Sequence, residues 1–306
     1  MRFPTVKKSS WIFLTLTIAL TACSGSTIPN PATTTPPLPT SPIPTIIDQE
    51  NDPTPPLTLT PSPTSTPSPS LTPTATWSIV GPGEVEIPIL LYHHVHPDPP
   101  SLNYWIDAEN FEDQMQVLSD LGYHTVTPTQ LRQAILQGLQ LPPKPVIITF
   151  DDGNEDNYEY AFPIMQKFGF IGAVYIVANR LSADGFLSAE QLQELAAAGW
   201  EIGSHSMTHA DLADVAANKL REEILDSRLR LEREIGVEVR SFAYPFGSFV
   251  STLGAKVENY GYRTAVGLGK KTLHDLNTIY YLDRITIYGT MTLAEFSALL
   301  DGSNKI

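Results

Sequence analysis

Val146-Ile-Ile-Thr-Phe-Asp-Asp-Gly153 carries an apolar, β-branched strand straight into two adjacent acids and a glycine. Strands do not ordinarily end in paired carboxylates. Side by side the two acids repel each other and lose hydration, so the pair is tolerable if a cation sits on it, if one acid keeps its proton, or if both face water. A solvated loop with an Asx turn is the plain alternative. The residues around the stretch decide between them.

Working outward, strand and helix signals alternate. Ile87 to Tyr92 reads as a short strand that ends in His93, His94 and, after Val95, His96. From Asp107 to Leu121, Phe111, Met115, Leu118 and Leu121 recur at helical spacing. Thr127-Pro128-Thr129-Gln130 has the form of a capping box with proline at the first helical position, and the helix it opens stops near Gly138. Beyond the acid pair, helix is predicted over 157–168, with Pro163 awkward in its interior, and strand over 173–178. Ser188 opens a helix ending at Gly199, and a strand over 200–203 delivers Ser204-His-Ser-Met-Thr-His209. A charged helix over 218–235, a strand from Ser241 broken at Pro245 and Gly247, a helix over 251–260, strands over 262–267 and 280–287 and a helix over 292–300 complete the pattern. About seven β/α units of this kind predict an α/β fold, a distorted (β/α)7-type barrel. Such barrels gather their chemistry at the C-terminal strand ends, where His93 to His96, Asp151 and Asp152, His205 and His209, and Tyr244 to Gly247 all fall.

The N-terminus differs in kind. Arg2, Lys7 and Lys8 precede the apolar run Trp11 to Leu20, which is too short to span a bilayer comfortably and reads, over 1–22, as a signal peptide. Leu20-Thr-Ala-Cys23 resembles the lipobox of bacterial lipoproteins, and Cys23 is the chain's only cysteine, so a lipid acceptor suits it better than a disulfide. Residues 23–80 follow as a linker: 15 of the 27 prolines lie in 24–76, with many Thr and Ser and three charged residues. Such a composition cannot bury a core and predicts a disordered or polyproline-like stalk ahead of a domain over 81–306. The first 76 residues balance three bases against three acids, so the net charge of -14 belongs to the remainder. An acidic domain is a poor nucleic-acid binder. The expectation is an exported protein, lipid-anchored to the bacterial membrane or cell surface.

A catalytic metal of the zinc type wants about three protein ligands and an open position. His205 and His209, four apart, can both face one ion, and one carboxylate of the acid pair completes the set. The combination of Thr149-Phe-Asp-Asp-Gly153 with Ser204-His-Ser-Met-Thr-His209 resembles the first two motifs of polysaccharide deacetylases of the NodB, carbohydrate esterase family four, type. The resemblance implies metal-dependent removal of N-acetyl groups from an amino-sugar polymer such as peptidoglycan or an exopolysaccharide. By motif position it implies that Asp151 is the catalytic base and that Asp152, His205 and His209 hold a divalent metal, zinc first and cobalt or nickel as alternatives. Pro245-Phe246-Gly247 resembles the third motif, with Phe246 where tyrosine is usual, and implies a backbone N–H aimed at the oxyanion. Tyr244 reads either as substrate-facing or as an aromatic packed on that turn.

Two departures stand out. Many members carry an arginine three residues before the motif's proline to orient the base, and here that position is Phe242; Arg284 is a candidate substitute or an ordinary ion-pair partner. The usual C-terminal leucine and histidine motif that supplies the general acid is missing, and His274 lacks its context. Leu91-Tyr-His-His-Val95 instead resembles the N-terminal motif of a permuted subgroup typified by exopolysaccharide deacetylases of biofilm matrices, which makes His93, then His94, the candidate acid. His96 and His124 read as structural or exposed. A calcium loop from Asp152 fails at Asn157 and Pro163. A catalytically inactive, surface-anchored carbohydrate-binding module on the same scaffold is the competing expectation.

Overall fold

The computed structural model of the chain describes residues 82–300. The expected signal peptide, Cys23 and the linker up to residue 81 lie outside the described residues. No helix among the described residues is long and apolar enough to cross a membrane.

Seven strands of the described residues form the path of one curled parallel sheet: β1 (Ile89–Tyr92), β2 (Pro145–Phe150), β3 (Ala173–Ile176), β4 (Glu201–Ser204), β5 (Ser241–Ala243), β6 (Thr264–Val266) and β7 (Ile285–Thr286), in the order β6-β5-β4-β3-β2-β1-β7, and a short eighth strand, His124–Thr125, pairs parallel with the start of β2 off that path. Their side chains alternate between two cores. Ile148, Phe150, Val174 and Ile176 face the surrounding helices, while Ile147, Ala173 and Tyr175 fill the interior of the curl with Ile89, Val266 and Leu282. Burial on both faces is why these strands read as unbroken apolar runs.

The connecting helices follow their sequence signals closely. Ala108–Asp120 is capped by the Asp107 carboxylate, which accepts from the N–H groups of Glu109 and Asn110, and it buries Phe111, Met115 and Leu118. The Thr127 capping box opens Pro128–Gln137, which ends at left-handed Gly138 (φ 70°). A second capping box, Ser188 with Gln191, opens Ala189–Ala197.

Several expected elements are altered, each for a local reason. The helix over 157–168 begins with a π turn, Asn157–Ala161, so Pro163 falls in the first turn of Phe162–Lys167, where a missing N–H costs nothing. A second π turn, Glu222–Asp226, precedes Ser227–Ile235. The strand from Ser241 stops at Ala243 because Pro245 cannot donate to a ladder. Only Ile285–Thr286 of the predicted strand 280–287 is regular, although the segment still bridges the ends of the sheet. Leu282 N–H donates to Ala265 O (2.9 Å) and Gly267 N–H to Leu282 O (2.8 Å), while Ile285 and Thr286 pair with Leu90 and Leu91 of β1. This irregular seam is the distortion of the barrel. Two short pairs were not anticipated: His94–His96 runs parallel to Trp105–Asp107, and Val85–Glu86 antiparallel to Leu273–His274.

Candidate active site

The sheet register places the site. Tyr92 pairs with Phe150, and the Asp151 N–H continues that ladder to Tyr92 O (3.1 Å), which sets Asp151 beside His93. Two strands over, at the end of β4, the His205 N–H donates to Ile176 O of β3 (2.8 Å). Past these ends the backbone turns sharply, and Asp152, Ser206, His209 and Phe246 all adopt left-handed φ values between 58° and 72°. Each non-glycine residue held there costs about 1–2 kcal/mol, and such strain concentrates at functional sites. Gly153 (φ 76°) suits this turn, since a side chain would be strained at that φ and its Cβ would lie 3.0 Å from Ile176 Cδ1.

Asp152, His205 and His209 each offer one ligand atom, and these atoms lie within 4.8 Å of one another. The His205 Nδ1 sits 2.8 Å from the Ala243 carbonyl, so that nitrogen carries the proton and Nε2 keeps its lone pair for the site. The His209 Nε2 is 3.4 Å from Asp152 Oδ1. Burial and the neighbouring His205 push the His209 pKa down against the pull of Asp152, which favours the neutral, ligating imidazole. One carboxylate and two imidazoles, that of His205 oriented by the Ala243 carbonyl, fit a divalent cation of the zinc type.

Asp151 Oδ2 lies 3.7 Å from His205 Nε2, but its hydrogen-bond partner is Arg284. Arg284 donates from Nη1 to Oδ1 and from Nη2 to Oδ2, both at 2.7 Å, and both side chains are almost wholly buried. The guanidinium is completed by Gly267 O (3.0 Å from Nε) and Thr149 Oγ1 (3.3 Å from Nη1). Burial pushes the Asp151 carboxyl up, but Arg284 and then His205 outweigh it and hold the pKa at about 2. Phe242 is buried against Tyr244 and Tyr262, so the guanidinium reaches the acid from the seam of the barrel instead of from β5.

The two neighbouring histidines separate cleanly. His93 shares a cavity of about 180 Å³ with Asp151, Asp152, His205, His209 and Arg284, and its Nδ1 is a buried atom without a hydrogen-bond partner. Burial lowers its pKa while Asp151 and Asp152 raise it. His94 is tied by Nδ1 to Asp156 Oδ2 (2.7 Å) and stacks on Trp105 with ring centroids 3.7 Å apart. It lines a neighbouring hollow of about 440 Å³ that shares His93, Tyr104 and Asp152 with the cavity.

On the opposite wall, the exposed Phe246 ring packs on His209, with centroids 4.6 Å apart. The N–H groups of Tyr244 and Gly247 are used within the fold, by Val266 O and Tyr244 O. The Tyr244 hydroxyl donates to Tyr280 O (3.0 Å), and burial raises its pKa, so the side chain is structural although its edge lines the cavity. His274, in the Val85–Glu86 ribbon, does not line this cavity. His96 Nδ1 accepts from Asp98 N–H (3.1 Å), and His124 Nδ1 lies 2.9 Å from Pro143 O.

Sequence reasoning passed over Arg180, whose Nη1 lies 3.1 Å from Asp152 Oδ1, and Tyr104, whose ring lies 4.5 Å from that of His93. Arg180 follows the C-terminal end of β3, and that position was its only signal.

A curled parallel α/β sheet with an arginine-clamped carboxylate beside a carboxylate and two imidazoles defines a barrel hydrolase with a candidate metal centre. Residues 138–265 match the family profile of polysaccharide deacetylases. YxkH of Bacillus subtilis (strain 168), which bears the name of a polysaccharide deacetylase, is 28% identical over 216 residues, covering 71% of this chain and 76% of its own. The crystal structure of BC0361, a polysaccharide deacetylase from Bacillus cereus, superposes with a TM-score of 0.63 at 26% identity, covering 71% of this chain and 69% of that one. A poly-β-1,6-N-acetyl-D-glucosamine N-deacetylase of Staphylococcus aureus (strain MRSA252) is 24% identical over 199 residues, covering 60% of this chain and 68% of its own. Residues 138–265 thus carry a polysaccharide deacetylase domain of the NodB, carbohydrate esterase family four, type, and the chain around it is similar to proteins that bear that name.

Proposed function

We propose that this domain hydrolyses N-acetyl groups of an amino-sugar polymer, peptidoglycan or a poly-N-acetylglucosamine exopolysaccharide, at the surface of the cell, with the chain held to the membrane through a lipid on Cys23. The observation that carries the reading is the division of the acid pair: Asp151 is clamped by Arg284, while Asp152 faces His205 and His209. The name of the Staphylococcus aureus relative supports the exopolysaccharide.

Asp152, His205 and His209 would hold the divalent cation, with zinc preferred and cobalt or nickel as substitutes. When bound, such a cation supplies Lewis-acid polarisation and lowers the pKa of water. Asp151, ionised at neutral pH, takes a proton from the attacking water, whose oxygen adds to the acetamide carbonyl carbon. The Phe246 N–H, at the turn beside His209, donates to the oxyanion. His93, across the cavity, gives a proton to the nitrogen as the C–N bond breaks, leaving acetate and a free amine. The hollow beside His93 gives a neighbouring sugar room to lie.

The test is acetate release by the full-length protein, loaded with zinc or cobalt, from N-acetylglucosamine oligomers and from peptidoglycan. Wild type should release acetate. Asp151→Asn should keep its metal and fall silent, while Asp152→Ala should lose the metal. Equal silence of wild type and Asp151→Asn over the whole panel would instead favour a carbohydrate-binding role.

A further inference from the structure

We infer that Glu223, in the π turn Glu222–Asp226 and outside the motifs that carry the site, is a positioning residue that holds the loop between His205 and His209 in its ligating shape and thereby sets how tightly the centre binds a divalent cation. This rests on the reading of Asp152, His205 and His209 as a metal site.

The loop needs an external hold. Its two histidines are four residues apart, and two of its five positions, Ser206 (φ 68°) and His209 (φ 65°), lie in the left-handed region that non-glycine residues avoid. Within the loop, one bond from the His209 N–H to Ser206 Oγ (2.9 Å) fixes the second histidine. The middle of the loop is held by Glu223. Its Oε2 accepts from the N–H groups of Met207 (3.1 Å) and Thr208 (3.0 Å), and its Oε1 from the Thr208 hydroxyl (2.7 Å). The Met207 N–H also reaches the Glu223 backbone carbonyl at 3.1 Å. One side chain therefore takes up the N–H groups of Met207 and Thr208, two of the three residues between the imidazole ligands.

The setting of Glu223 argues for more than a surface contact. It is 7% exposed, and among the described residues it forms no ion pair. A buried carboxylate without an ion-pair partner is costly unless donors surround it, and here all three side-chain bonds come from the metal-ligand loop. Its delivery is also specific, because it sits in the π turn Glu222–Asp226, and such turns insert one extra residue into a helix. Its neighbour Glu222 faces solvent and pairs with Lys219 at 2.8 Å, which supplies a matched control. A glutamine at 223 keeps the size and still accepts through one oxygen, but it turns an NH2 group towards donors and gives up the charge-assisted bonds. Partners that orient metal ligands typically change metal affinity by about 10–100-fold when altered.

The experiment is a titration of metal-free, full-length protein with zinc in competition with a chromophoric chelator, repeated with cobalt to record the visible spectrum of the ligand field. Glu223→Gln should bind zinc about 10–100-fold more weakly than wild type and show a changed cobalt spectrum, while Glu222→Gln matches wild type in both. Thr208→Val, which deletes only the hydroxyl tie, should fall between them, and it decides the matter if Glu223→Gln does not fold. Wild-type affinity and an unaltered cobalt spectrum in Glu223→Gln, or in Thr208→Val should Glu223→Gln fail to fold, would overturn the inference while leaving the metal site intact. A wild-type protein that binds neither ion overturns the metal site itself, and the inference with it.

Discussion

At the scale of single residues, the two adjacent acids differ because their partners arrive from different parts of the chain. One acid of the pair could be matched to His205 and His209 from an HxxxH spacing and an acid at a strand end, and the motif resemblance then singled out Asp152. The clamp on Asp151 was only half legible. Arg284 sits 133 residues from its partner, and nothing near it distinguishes a guanidinium aimed at a buried acid from a structural ion pair. Replacing Arg284 by Met leaves a buried carboxylate uncompensated, which should cost about 3–5 kcal/mol of stability in urea unfolding. The sign with pH follows from a depressed carboxyl. With Arg284 in place, the Asp151 contribution is fully present above the ordinary aspartate range near pH 4 and is lost as pH falls towards a pKa of about 2. Without it, burial is the largest remaining influence and pushes the carboxyl up, so the acidic limb of the pH–rate profile of Arg284→Met should move to higher pH. An unmoved limb would show that Arg284 does not control the base. The neighbouring histidines offer a second contrast. His93→Ala should lower acetate release by roughly two to four orders of magnitude, in line with general-acid catalysis, without loss of metal. His94→Ala, which breaks the contact to Asp156 and the stack on Trp105, should do less; the reverse ranking would exchange their roles.

At the scale of elements, periodicity and caps were reliable where one face of a helix or a whole strand is apolar. The helices opened by Asp107, Thr127 and Ser188 begin where their capping side chains require. What stayed hidden were features set by contacts distant in sequence. The two π turns carry no compositional mark, and Glu223 in Arg221-Glu-Glu-Ile-Leu-Asp226 looks like any solvated acid until its helix is laid against the histidine loop. The irregular seam over 280–286 was equally out of reach, since it depends on what β6 and β1 leave unpaired. The ribbon of Val85–Glu86 with Leu273–His274 has an energetic consequence of its own. His274 is 1% exposed, its Nε2 is buried without a partner, and burial lowers its pKa despite Asp283, the Ile87 backbone and Asp275. A histidine kept neutral by the fold binds fewer protons there than in the unfolded chain. The stability tied to it is therefore whole above the ordinary histidine range near pH 6.5 and declines as pH falls below it. Thermal melts from pH 8 to 5 should show a fall in Tm that His274→Gln flattens. Parallel curves for the two proteins would place the acid sensitivity elsewhere.

At the scale of the whole molecule, the sequence sets a proline-rich, nearly uncharged stretch ahead of an acidic domain, and the proposed function gives the two separate tasks. The domain's excess of acids disfavours nucleic acid and suits a neutral polymer that becomes cationic as acetyl groups leave. The leader's composition, with its single cysteine at position 23, suits a tether. A polyproline-like stalk over 23–80 would reach on the order of 100 Å, enough to let a membrane-held domain work on polymer lying outside the bilayer. One acyl chain gives only marginal membrane binding, so two or more chains on Cys23 would be needed for a durable anchor. The variant that isolates this is Cys23→Ser in the full-length chain. Wild type expressed in a bacterium with a lipoprotein pathway should sediment with membranes, resist high salt and come away with detergent, whereas Cys23→Ser should move to the soluble fraction. Activity separates anchoring from catalysis: acetate release from soluble N-acetylglucosamine oligomers should be the same for both, while deacetylation of polymer on the producing cell should fall in the variant. If Cys23→Ser sediments with membranes as wild type does and yields to detergent at the same concentration, the lipid anchor is wrong, and the apolar run Trp11 to Leu20 would then be the segment holding the chain.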